Sequence, residues 1–299
     1  MNRDRPDRVG QIFAALGKSV CYLALFLGMQ MVVLLPLIVS GVIELLAEGS
    51  VVDESALYAL MDADMMALTL LSGLLTLIMI LAFYLIRRKK LQEALMRRPV
   101  PVPTLLTGVS LAPGLYFVVS VVLLLLPEAW TDSYSEASAG IDTGTLVGVL
   151  SVAVVAPVVE EFIFRGLIMN RLSRVMPGWL AVVLSAAVFG ACHGHPVWFT
   201  YAFVLGAVFG FIDLRAGSIW PSILGHAAFN AFGQVTAFLP ETEEGTEFVV
   251  FLGVLLVAGI LGVLLNRRAI GALFRPASKP APAEEPMRPG TYDYDPWEE

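Results

Sequence analysis

Charged and hydrogen-bonding side chains recur inside stretches that are otherwise apolar, and their spacing is helical. One run reads Ala156-Pro157-Val158-Val159-Glu160-Glu161-Phe162-Ile163-Phe164-Arg165-Gly166. A second reads Phe189-Gly190-Ala191-Cys192-His193, and a third His226-Ala227-Ala228-Phe229-Asn230. A charge at the centre of a membrane span costs about 2.5–3.5 kcal/mol on insertion scales, so such groups are functional candidates by default. Carboxylate with imidazole is the equipment of general acid–base catalysis, and also of metal ligation. The plainer reading is a structural ion pair plus polar glue between helices. That reading suits Glu161 and Arg165, which stand four residues apart with the acid on the N-terminal side, as a helical pair prefers. It does not suit Glu160, which points about 100° away and is left without that partner.

Helix geometry also brings the three runs together. Glu160 lies about 24 Å along a span beginning near Gly144, taking 1.5 Å per residue, within a hydrocarbon core about 30 Å thick. The sequence midpoint between Glu160 and His193 falls at Met176-Pro177, inside a turn, so two antiparallel helices hold both residues at one height. His226 and Asn230, four apart, share one face of a third helix about 12 Å from its start. Pro157 removes a backbone donor one turn before Glu160 and opens that helix locally.

The elements that must position these residues are membrane spans. Of the 299 residues, 57% are hydrophobic and 15% charged, and the mean hydropathy is +0.77. A soluble domain of this length cannot hide so much apolar surface. Eight apolar segments are expected to span, at about 19–46, 65–86, 104–126, 144–170, 178–194, 197–214, 218–239 and 246–266. The first is too long for a signal-peptide core and is read as a retained span. All 19 Lys and Arg residues fall on alternate connections or, for Arg165, inside a span near one. The positive-inside rule then places both termini in the cytoplasm, with Arg87–Lys90 as a topology signal. The expected organisation is a cytoplasmic N-terminus (1–18), three spans (19–143), a polar-site bundle (144–240), a last span with its cytoplasmic end (241–274), and a disordered tail (275–299) rich in Pro, Glu and Asp. A net charge of -7 argues against a nucleic-acid partner. Cys21 and Cys192 are read as small buried hydrophobes and not as a disulfide. Trp179, Trp198 and Trp220 fit an aromatic belt, His195 an interfacial site, and Asp213 with Arg215 a surface pair.

Taken in order, Glu160-Glu161-x-x-x-Arg165, Phe189-x-x-x-His193 and His226-x-x-x-Asn230 resemble the CPBP family, which joins CAAX proteases, bacteriocin-processing proteins and the bacterial Abi proteins. The resemblance covers roughly residues 144–240. It implies an all-α intramembrane endopeptidase whose cavity opens to the cytoplasm. On that resemblance Glu160 is the general base and His193 its partner in activating water. His226 and Asn230 polarise the scissile carbonyl and stabilise the oxyanion, while Glu161 and Arg165 hold their helix in place.

The chemistry is coherent on its own terms. The runs offer no serine nucleophile, and Cys192 beside His193 points about 100° away from it on a helix, so water must attack. A carboxylate can take the proton from that water and return it to the leaving amine, and each oxyanion donor supplies a few kcal/mol. Glu160, His193 and His226 are equally a zinc-binding set with an open position, so a divalent metal such as zinc is a candidate cofactor. Expected partners are membrane lipids and hydrophobic or lipid-associated peptide or protein substrates, in a multi-pass protein of the cell membrane with its site in the cytoplasmic half of the bilayer. Three competitors stand beside the enzyme: a catalytically silent scaffold or immunity protein, a small-solute or proton-coupled transporter, against which the lack of an inverted repeat counts, and a four-ligand metal transporter.

Overall fold

The computed structural model describes residues 8–53, 56–57, 60, 65–86, 100–138, 140–141, 144–240 and 245–275. Arg87–Lys90 and the tail expected to be disordered, apart from Arg275 itself, lie outside these residues.

The chain is all α-helical, with no strand among the described residues. Eight apolar helices answer the eight apolar segments. They are α1 (Arg8–Ala47) and α2 (Met65–Ile86), then α3 (Val102–Leu124). A polar helix, α4 (Glu128–Ser138), follows. The rest are α5 (Leu146–Leu172), α6 (Gly178–Ala191), α7 (Pro196–Ala216), α8 (Trp220–Val235) and α9 (Thr246–Leu273). Six of them (α1, α2, α3, α5, α7 and α9) are long and apolar enough to cross a membrane. At 14 and 16 residues, α6 and α8 are shorter than a span requires.

Helix α1 starts at Arg8, well before the expected Ser19, and only five of its 40 residues are buried. Its remaining surface, with Val20, Val32, Leu35 and Val39, is apolar and exposed. So is that of α9, with Val249, Val254, Val257, Ile260 and Leu264. Apolar surface on this scale belongs against lipid, and the chain is a multi-pass membrane protein.

Three sequence expectations are corrected here. Residues 128–138, expected to lie in the connection between the spans 104–126 and 144–170, form α4, whose Glu128, Asp132 and Glu136 recur at helical spacing. Cys21 is exposed on α1 and not buried. Asp213 and Arg215 are not a surface pair. Asp213 is 3% exposed, and its carboxylate accepts from the Ser222 amide (3.3 Å) and hydroxyl (2.5 Å), capping the start of α8. Arg215 instead donates through Nε to the Leu273 carbonyl and through Nη2 to the Arg275 carbonyl, binding the end of α7 to the end of α9.

Packing divides into two clusters. Side chains of α1, α2, α5 and α6, with Ala202 of α7, form one core, and those of α3, α7 and α8 form the other, with α9 contributing Leu273. α3 lies against both α8 and α9, at distances only glycines allow. A Cβ on Gly225 would stand 2.7 Å from the Gly108 Cα, and one on Gly259 would stand 2.7 Å from the Gly114 nitrogen. Small residues let helix backbones meet where lipid supplies no hydrophobic drive. Gly225 immediately precedes His226, so this contact fixes the height of the histidine.

Gly225→Ala is expected to destabilise the protein by about 1–3 kcal/mol through overpacking, read as a lowered unfolding midpoint in detergent. Gly253→Ala on α9, whose Cβ would meet nothing within 4 Å, should leave the midpoint unchanged or raise it.

Candidate active site

The polar runs meet at the seam between the two clusters, and α5 delivers its share through an irregular helix. Residues Val149–Val155 and Phe162–Met169 are wound as π-helix, with ordinary α-helix over Ala156–Glu161 between them. The local opening expected at Pro157 is therefore a widened turn immediately before it. Widening relieves the clash between the proline ring and the preceding turn.

Glu161 and Arg165 form the expected pair, Nε to Oε2 at 3.1 Å, and both are buried. Glu161 has a second partner that the sequence did not reveal. His226 Nδ1–H donates to Glu161 Oε1 at 2.8 Å. The Arg165 guanidinium covers the ring of Phe189 at 4.5 Å. The same ring meets His193 edge-on at 4.9 Å, His226 at 5.8 Å and Phe164 at 5.2 Å. Phe189, the first residue of the second run, is the ring about which the site is arranged. Phe209 stacks on the His226 imidazole at 6.2 Å.

Glu160 stands apart from this network. Its side chain is 21% exposed, and its Oε2 lies 3.7 Å from His226 Nε2. That is too long for a direct hydrogen bond. With Nδ1–H directed at Glu161, neutral His226 offers only a lone pair at Nε2, and protonated His226 offers an N–H there. The imidazole is thus oriented by a buried carboxylate on one side and presented to an accessible one on the other.

His193 follows the C-terminal end of α6, half-buried, with Nδ1–H donating to the Phe189 carbonyl at 2.9 Å. That bond directs the proton to Nδ1 and makes Nε2 the lone-pair nitrogen. The direct carboxylate–imidazole contact of Glu160 is with His226, and His193 reaches the cluster through Phe189. Neighbouring Cys192 lies within electrostatic range of Glu160. Asn230 donates from Nδ2 to the Val152 carbonyl of α5 at 2.8 Å. On the opposite flank of α5, Ser185 of α6 donates to the Phe164 carbonyl at 2.7 Å.

Among the described residues, no group of three or more His, Cys, Asp or Glu side chains is arranged to hold a metal ion. The zinc reading of Glu160, His193 and His226 is a question for chelation. His195 caps α7, its Nδ1 accepting from the Val197 amide at 3.3 Å. Its Nε2 therefore carries the proton and donates to Ser133 Oγ at 3.1 Å. In that tautomer His195 cannot take a proton from Ser133, so the contact is no nucleophilic dyad. The capping role of Asp213, expected instead to pair with Arg215 at the surface, had its signal in an acid inside an apolar span.

Residues 142–232 match the family described as type II CAAX prenyl endopeptidase Rce1-like. The chain is also similar to the Bacillus subtilis (strain 168) protein named "Putative membrane peptidase YdiL", at 26% identity over 105 residues. That stretch is 34% of this chain and 43% of the relative, so the likeness spans less than half of either protein. No solved structure matches the chain.

The two adjacent glutamates are expected to respond differently to loss of charge. Glu161→Gln leaves Arg165 buried without its counter-ion and should lower stability by about 3–5 kcal/mol. Glu160→Gln, at an accessible carboxylate, should leave the unfolding midpoint in detergent nearly unchanged.

Proposed function

We infer that this chain, whose residues 142–232 match the type II CAAX prenyl endopeptidase Rce1-like family, is an intramembrane endopeptidase that cleaves hydrophobic or lipid-associated protein segments. One observation carries the reading. The accessible carboxylate of Glu160 faces, at 3.7 Å, an imidazole whose other nitrogen is held by the buried Glu161.

The proposed steps assign these groups as follows. A water hydrogen-bonded to Glu160, and oriented by the Nε2 lone pair of His193, attacks the scissile carbonyl carbon. The new C–O bond forms as Glu160 takes the water proton. The carbonyl oxygen becomes an oxyanion, which protonated His226 stabilises through its Nε2–H. Glu160 then gives its proton to the leaving nitrogen as the C–N bond breaks, and the carboxylate is regenerated. No proton is gained or lost over the cycle, as a site in low dielectric requires. The Glu161–His226 bond keeps Nδ1 from exchanging its role with Nε2, so the reacting nitrogen always faces Glu160.

The exposed apolar faces of α1 and α9 support a bilayer setting, and the run of cationic connections supports both termini in the cytoplasm. A site reached from the cytoplasmic half of the membrane would meet substrates tethered there by an apolar segment or a lipid.

The test compares peptide termini in membranes carrying the wild type and Glu160→Gln at equal expression. Termini present only with the wild type are expected, and they would name the substrates. Identical surveys, with both proteins folded, would favour the scaffold or immunity reading instead. Cleavage by purified protein should also persist in a chelator. Loss of cleavage that zinc restores would make Glu160, His193 and His226 metal ligands.

A further inference from the structure

Pro157 creates a hydrogen-bonding deficit at a particular peptide group, and the structure shows what fills it. In an α-helix the Val152 carbonyl would accept from the amide of Ala156. Here the Ala156 N–H goes to the Ser151 carbonyl, the π pattern of one residue more. Continued by one residue, that pattern would pair the Val152 carbonyl with residue 157. That residue is proline and has no N–H. The Val152 carbonyl is thereby left without a donor from its own helix, in a part of α5 packed against α2 and α8. Asn230 Nδ2 supplies the missing donor at 2.8 Å.

We propose that Asn230 is a positioning residue: by repairing the carbonyl that Pro157 strands at Val152, it holds the rotation of α5 that sets Glu160 against His226. The geometry makes the coupling short. Asn230 sits one helical turn past His226 on α8, and Val152 sits two turns before Glu160 on α5. Each residue of the repair is thus carried on the same helix as one member of the reacting pair. Were α5 to rewind this segment as α-helix, Glu160 would turn about the axis and leave the His226 imidazole. A second tie supports the assignment. The Gly144 amide, at the start of α5, donates to Gln234 Oε1 on α8 at 3.2 Å. α8 thus grips α5 on the N-terminal side of the proline, where its own hydrogen bonding is weakest.

This role is separate from a direct contact between Asn230 and substrate, and a double-mutant cycle divides the two. Pro157→Ala restores a backbone N–H that can reach the Val152 carbonyl, so the Asn230 amide should become dispensable. In the wild-type background, Asn230→Ala is expected to lower the unfolding midpoint in detergent and to reduce kcat for an identified peptide substrate about tenfold or more, as an orphaned buried acceptor and a displaced base would. In the Pro157→Ala background the same change should leave the midpoint nearly unmoved and reduce kcat less than about threefold relative to Pro157→Ala alone. An equal loss of kcat in both backgrounds would overturn the proposal and make Asn230 a substrate-contacting group. So would an Asn230→Ala variant indistinguishable from wild type. The kcat arm rests on the proteolytic reading, whereas the unfolding arm needs no substrate. Midpoint coupling without any cleavage would therefore keep the repair and discard the enzyme.

Discussion

A guanidinium and a carboxylate buried together inside a helix bundle impose the strictest condition on this fold. Arg165 and Glu161 are 1% and 0% exposed, and neither charge tolerates that burial without the other. Their i,i+4 spacing supplies the first contact, and other helices supply further ones, although Arg165 Nη1 and Nη2 find no hydrogen-bond partner among the described residues. His226 reaches Glu161 from α8, and Phe189 offers its face to Arg165 from α6. α7 contributes by omission: a Cβ on Gly206 would lie 3.2 Å from Arg165 Nη2, so the glycine leaves the guanidinium its space. Four helices are drawn to one ion pair, and the reacting groups assemble around it.

The same pair explains how two neighbouring glutamates acquire different characters. Adjacent positions on a helix diverge by about 100°, which sends Glu161 into the bundle and Glu160 toward accessible space. The inner carboxylate is enclosed by Arg165 and His226, and its function is orientation. The outer one is free to exchange a proton. Environment separates the roles of two chemically identical side chains, as it does wherever paired carboxylates divide the work of acid and base.

Much of this was legible in the sequence because membrane physics makes polar residues conspicuous. All eight apolar segments are helices, the Glu161–Arg165 pair follows from spacing, and Glu160 and His226 meet as convergent depth implied. The misses have definite physical origins. Short helices such as α6 and α8 carry less apolar length than a span needs, so hydropathy blurs their ends. The polar helix α4 resembles a loop when only hydropathy is read. Asp213 and Arg215 look like a pair at spacing two, but helix geometry points them apart, and each binds a different helix end. The π-helical segments have no periodic signature, since the same residues would serve an ordinary helix. Only Pro157 marked the place. The second bond of Glu161 depends on the crossing of α5 and α8, a tertiary fact that local spacing does not contain.

The geometry of α8 also explains why a short helix can hold a reacting histidine steadily. Its first turn is capped by Asp213 through Ser222. Its middle lies against α3 at Gly225, where backbone meets backbone. Its later turns bond to α5 through Asn230 and Gln234. Held at both ends and along one face, the helix has little freedom to rotate His226 about its axis. The imidazole is further confined by Phe189 at its edge, Phe209 on its face and Glu161 at Nδ1. Its one unconfined atom is Nε2, which is the atom facing Glu160. A site meant only to glue helices would bond that nitrogen as well, because an unmatched polar atom in a membrane interior weakens the bundle. Leaving Nε2 open while fixing every other edge of the ring is the arrangement that proton chemistry requires.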